Sequence, residues 1–177
     1  MGNTPEIIEN FRDFEPPAHF RPIVDDLVEH VPREFLAGLQ SIVLTNRLAL
    51  NRGEKRRKTW SRNKRIRLAD ALGYYSAATR SSGAFVVLYV EALLKDWDAW
   101  YTRLPLIRYY PAIEVLYHEI GHHIHAQHRP EYKGKEDVAN YWKKKLTSRF
   151  IRRRYFYLVP AIYVMGKILR VAEWMRK

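Results

Sequence analysis

The sequence predicts an α+β domain in which a small N-terminal sheet precedes a helical second half. Two runs rich in β-branched residues, Leu39 to Thr45 (LQSIVLT) and Ala84 to Val90 (AFVVLYV), fall early in the chain. Apolar residues at helical spacing take over from Pro111 onward. The chain has 177 residues, 47% of them hydrophobic, which is enough for one core and too little for two.

Residues 1–21 mix acids, prolines and aromatics without a continuous apolar run and read as an N-terminal extension. Pro22 opens a helical pattern in which Ile23, Leu27 and Val31 recur at a spacing of four and which ends near Pro32. Leu39 to Thr45 follows as a strand, Leu72 to Tyr75 as a short strand, and Ala84 to Val90 as a stronger one opened by Ser82-Gly83. Pro111 suits a first helical position, and Ile113, Leu116, Ile120 and Ile124 form the packing stripe of that helix. After a break at Arg129-Pro130 a second helix begins near Glu136, packing through Val138, Ala139, Trp142 and Leu146. Residues 22–149 therefore read as the functional domain. Residues 150–177 read as a helical segment packed on it, with Ile162, Met165, Leu169 and Ala172 at helical spacing; an interfacial helix on anionic lipid is the other reading of this tail.

Lysine and arginine number 31 against 19 acidic residues, a net charge of +12 that favours acidic partners without naming one. Arg52 to Arg67 carries nine basic residues against Glu54, with Trp60 in the middle. It reads either as a contact for nucleic acid or another polyanion, or as a solvated insertion loop. Lys143 to Arg154, with seven basic residues, lies at the end of a helix, where cations favour the dipole. There is no cysteine, which excludes disulfide scaffolds, thiolate metal sites and cysteine nucleophiles and leaves nitrogen and oxygen as metal donors. No signal-peptide pattern opens the chain, and Glu6 stands where a myristoylation pattern needs Ser or Thr. The longest uncharged apolar run, Tyr155 to Gly166, has twelve residues, short of a membrane span. The expectation is a cytoplasmic protein.

Chemistry concentrates in residues 117–128, YHEIGHHIHAQH, where His118-Glu119-Ile120-Gly121-His122 is an HExxH sequence. On a helix it sets two imidazoles one turn apart on one face, separate from the packing stripe. Glu136 and Asn140, a turn apart on the next helix, sit off that helix's packing side, so a third ligand is at hand. Two neutral imidazoles and a carboxylate suit zinc and leave its fourth tetrahedral position for water, whose pKa the ion lowers to about 7. Glu119, turned roughly 100° from His118 around the helix, does not easily join the same ligand set and can instead take the water proton as general base.

HEIGH with a downstream ExxA[ND] resembles the gluzincin group of zinc metallopeptidases, particularly the small minigluzincins and ImmA/IrrE-type domains. The likeness extends more loosely over residues 22–149. It implies a zincin-like fold, Zn2+ held by His118, His122 and Glu136, Glu119 as the base, and a peptide or protein substrate. It also implies a sheet edge along the cleft on which substrate adds as a strand, a role that falls to Ala84 to Val90. Only thirteen residues separate His122 from Glu136, a short connection for this group that leaves Glu131 and Asp137 open as the third ligand.

Other residues read as bland. His123 points away from the ligand face; His125 and His128 read as supporting or surface groups; Tyr132 reads as an exposed loop residue rather than a carbonyl-polarising one. Gly121 reads as a place where neighbouring backbone comes close, at about 1 kcal/mol of helix propensity. The function expected is zinc-dependent peptide hydrolysis. The alternative is a non-enzymatic basic protein that binds nucleic acid or an acidic partner and whose metal site is structural.

Overall fold

The computed structural model describes residues 4–61, 64–80, 82–95, 107–128 and 135–158. Four strands, β1 (Glu6–Asn10), β2 (Leu39–Thr45), β5 (Gly73–Ser76) and β6 (Ala84–Tyr89), form a mixed sheet in the order β1-β2-β6-β5. The β1/β2 and β2/β6 pairs are parallel, and β5 runs antiparallel to β6. A separate antiparallel hairpin joins β3 (Lys58–Ser61) to β4 (Lys64–Arg67). The helices are α1 (Phe20–Glu29), the short α2 (Arg52–Arg56) and α3 (Val90–Leu94), and the long α4 (Tyr110–His128) and α5 (Lys135–Arg154).

Strand alternation sends Ile42 and Leu44 of β2 and Val86 and Leu88 of β6 to one face. There they meet Val24 and Leu27 of α1, Leu116, Ile120 and Ile124 of α4, and Phe150 of α5. Val87 and Tyr89 of β6 point the other way, into a smaller cluster with Leu50, Leu68 and Ala71. Burial on both faces explains why AFVVLYV is an uninterrupted apolar run. It also corrects the expectation that this segment is the cleft edge: β6 is flanked on both sides, and the edge nearest α4 is β5. The short strand expected at Leu72 to Tyr75 is this β5, displaced by one residue.

Part of residues 1–21 joins the sheet rather than standing outside it. Glu6 to Asn10 pair in register with Ser41 to Thr45, and the Thr45 hydroxyl donates to the Asn10 carbonyl at 2.6 Å. The Asn46 side chain then holds both backbone groups of Arg12, at 3.0 and 2.7 Å. This strand is an exposed edge held mainly by its backbone, so its side chains carry little alternation for a pattern to detect. The basic run is not a loop either: a reciprocal Asn51–Glu54 capping box starts α2, and the hairpin follows. Arg52, Lys55, Arg56, Arg57, Lys58 and Arg67 are exposed there. Among the described residues no helix is long and apolar enough to cross a membrane. Tyr132, Glu131 and the helical pattern beyond Pro160 lie outside the described residues.

Gly73 allows β5 to lie against α4. A Cβ there would sit 2.6 Å from the Val87 carbonyl oxygen and 2.7 Å from Val115 Cγ1. Gly73→Ala is expected to destabilise the fold by about 1–3 kcal/mol in urea denaturation; an unchanged midpoint would show that strand and helix do not press on each other here.

Candidate metal centre

Two helices build the site. α4 is anchored along its length: the Tyr117 hydroxyl donates to the Leu27 carbonyl at 3.1 Å, and the Tyr109 hydroxyl just before the helix donates to Asp26 at 2.6 Å. α5 crosses α4 antiparallel, since Glu114 pairs with Lys143 at 2.8 Å while His122 meets Glu136 and Gly121 meets Ala139. At that crossing a Cβ on Gly121 would fall 2.7 Å from the Ala139 carbonyl oxygen and 2.8 Å from its Cα. No side chain fits there, so glycine sets the distance between the two backbones, and fully buried Ala139 keeps the partner side equally small. Glu136, three residues before Ala139, is thereby carried over the histidine pair.

His118 Nε2 lies 3.4 Å from Glu136 Oε2, and His122 Nε2 lies 3.6 Å from Glu136 Oε1. One donor atom from each residue falls within 4.8 Å of the others, and this is the one such group of His, Cys, Asp and Glu among the described residues. A zinc ion with bonds of about 2.0–2.1 Å has tetrahedral edges of about 3.4 Å, close to both measured spacings. The imidazoles meet edge to face with centroids 4.7 Å apart, so their nitrogens converge without stacking. Glu136 Oε2 is buried and has no hydrogen-bond partner among the described residues, an arrangement that costs free energy unless a cation satisfies it. Burial, with His118, His125 and Lys135 nearby, lowers the His122 pKa from 6.5 to about 4. Its ring is therefore neutral at physiological pH with a lone pair to offer, and its approach to Glu136 is not an ion pair. The donor set, the spacing and the unsatisfied oxygen all fit a metal ion.

Glu119 is 8% exposed and outside this group. Burial raises its carboxyl from 4.5 to about 8, the Tyr75 backbone N–H donates to it and opposes the rise, and the charge of Glu136 adds to it. His123, expected to point away from the ligand face, is outside the ligand group and fully buried: Nε2 contacts the Ala37 carbonyl at 2.9 Å and Nδ1 the Tyr75 hydroxyl at 3.2 Å. Burial, the dominant influence, lowers its pKa. His125 is buried and His128 exposed; both line a cleft of about 590 Å³ with Asp137, Tyr141 and Trp142. Asp137 thus faces this side cleft while Glu136 faces the histidines. The packing stripe of α5 runs through Ala139, Leu146 and Phe150; Trp142 is half-buried, its ring centroid 4.6 Å from that of Phe35, and Val138 borders the cleft. Tyr75 was not picked out as a site residue, because its contact with Glu119 is made by backbone, which carries no signature in residue type. No family model, curated protein or solved structure matches the chain.

Two outcomes follow from this geometry. Gly121→Ala should push α5 outward and weaken zinc binding at least about tenfold while leaving all three donors in place, as read by competition with a chromophoric chelator; unchanged affinity would separate the helix crossing from the site. In metal-free protein the raised Glu119 pKa makes the protonated carboxyl the form that folding favours. That stability is complete below about pH 4.5 and is lost as pH rises through about 8. Glu119→Gln, uncharged throughout, should therefore match wild-type Tm near about pH 5 and exceed it by several degrees near about pH 9. Equal differences at both values would remove the burial of Glu119 as the cause.

Proposed function

We propose that this protein is a zinc-dependent metallopeptidase of gluzincin type, with His118, His122 and Glu136 as metal ligands and Glu119 as general base. The observation that carries the reading is the convergence of an HExxH helix and a glutamate from the next helix on donor spacings of 3.4 and 3.6 Å. When bound, zinc lowers the pKa of a coordinated water to about 7 and polarises a carbonyl oxygen. Glu119, one residue along from His118 and off the ligand face, accepts the proton of the attacking water on a carboxylate oxygen and delivers it to the departing amine nitrogen. Its buried position keeps bulk water from competing for that proton.

The substrate peptide lies along the outer edge of β5. The Leu72 carbonyl accepts from the Tyr89 N–H at 3.0 Å, and antiparallel pairing alternates from there. Tyr74 and Ser76 consequently direct their backbone groups toward β6, while Gly73 and Tyr75 direct theirs off the sheet. The Gly73 groups and the Tyr75 carbonyl are placed to pair with an added strand, next to the carboxylate that takes the proton.

Purified protein should bind about one equivalent of zinc, and His118→Ala, His122→Ala and Glu136→Ala should each lower its affinity at least about a hundredfold. Glu119→Gln should keep the metal and lose about a thousandfold or more in kcat on a cleaved peptide from a library screen. Zinc retention with cleavage indifferent to Glu119 would sink the assignment. The exposed cations of α2 and the hairpin support a second reading as a polyanion-binding protein. In that case duplex DNA affinity should fall steeply with salt and weaken when Lys55 to Lys58 are neutralised; absent or salt-insensitive binding removes it.

A further inference from the structure

Glu119 and His123 are four residues apart on α4, so they project from one face, and both reach the same residue of the edge strand. Glu119 takes the Tyr75 backbone N–H, and His123 Nδ1 meets the Tyr75 hydroxyl at 3.2 Å. The two rings lie edge to face with centroids 5.5 Å apart. The other nitrogen of His123 faces the Ala37 carbonyl at 2.9 Å, and a carbonyl oxygen only accepts. Nε2 therefore carries the hydrogen, and Nδ1 of the neutral ring accepts from the Tyr75 hydroxyl. A directed chain results: Tyr75 hydroxyl to His123, His123 to Ala37. Strand β5, helix α4 and the turn before β2 are joined in it through His123, which is 0% exposed, while Tyr75 is half-buried and Ala37 exposed.

Register makes the second contact informative. Tyr75 stands opposite Val86 at a position where its N–H turns off the ladder, so β6 does not take that donor. The carboxylate of Glu119 takes it instead. One tyrosine is thus held at both ends by one helix face, its ring by His123 and its backbone by Glu119.

We infer that Tyr75 and His123 are positioning residues, a two-point clamp that fixes the Glu119 carboxylate against the edge strand and so sets where it stands relative to the metal ligands. The catalytic consequence rests on the metallopeptidase reading, whereas the clamp itself can be measured without turnover. If the hydroxyl is lost, Tyr75 keeps its place in the β5/β6 ladder but its backbone is free to tilt, and the N–H no longer meets Glu119 squarely. Metal ligands are untouched, because none of them belongs to the chain of bonds.

The test uses the full-length protein, zinc-free and zinc-loaded, labelled with 15N for amide exchange, with Tyr75→Phe, His123→Leu and His123→Gln. In Tyr75→Phe and His123→Leu the amide at position 75 should exchange at least about tenfold faster, while the amides at positions 74 and 87, within the ladder, stay within about twofold. His123→Gln, which retains a donor and an acceptor, should recover most of the protection. On a cleaved peptide kcat should fall at least about tenfold with KM within about twofold, and zinc affinity should hold within about threefold. Tyr75→Phe removes a single oxygen and carries the test if His123→Leu does not fold. Unchanged exchange at position 75, or acceleration of all ladder amides together, overturns the clamp. An inactive wild-type protein that shows the expected exchange pattern overturns the peptidase reading and leaves the clamp standing.

Discussion

The site depends first on how closely two antiparallel helices approach. At Gly121 the backbone of α5 occupies the volume a side chain would need, with the Ala139 carbonyl 2.7 Å from where a Cβ would stand. Helix axes normally keep the distance their side chains impose, and a glycine facing an alanine removes that spacing locally. Glu136 rides on α5 one turn before the contact, and His118 and His122 flank Gly121 on α4. A shift of the crossing by the width of a methyl group would move the carboxylate out of bridging range of both rings. The Glu114–Lys143 pair, half-exposed at 2.8 Å, sets direction more than it adds stability.

A consequence of that approach is the burial of several polar groups in a small volume. Glu119 and one oxygen of Glu136 are removed from water and His122 is largely so, which disfavours charge on Glu119 and His122 and leaves the Glu136 oxygen without a hydrogen-bond partner among the described residues. In a protein without a ligand role such a cluster would be a net cost. A divalent cation suits this set, because it needs neutral imidazoles, ionised carboxylates and an oxygen with no competing donor. Of these groups, His122 and Glu136 belong with His118 to the set that would hold a metal, and Glu119 is buried beside them.

The sheet contributes by ending, among the described residues, in an edge strand next to the HExxH helix. With one cluster on each face, β6 is central and β5 takes the edge position beside α4. Apolarity marked Ala84 to Val90 as the stronger strand and the family likeness gave it the cleft edge, but a fully apolar strand is the one a sheet encloses. The edge instead went to GYYS, whose four residues are all half-buried and give a weak pattern. Glu6 to Asn10 escaped detection for a related reason, since parallel pairing to β2 is a backbone interaction that EIIEN does not advertise. The hairpin in the basic run was obscured because lysines and arginines conceal alternation.

Local periodicity and donor chemistry were enough to establish an α+β chain, the HExxH helix, the separation of its packing and polar faces, and the requirement for nitrogen and oxygen donors. These are properties of neighbours within a turn or two, which residue order encodes directly. Tertiary structure decided that Glu136 reaches the histidines while Asp137 turns to the side cleft, that β5 rather than β6 is the edge, and that Tyr75 touches Glu119. Each of those depends on the distance between segments far apart in the chain. Such distances are fixed by close packing and backbone hydrogen bonding, neither of which leaves a mark on the identity of any single residue.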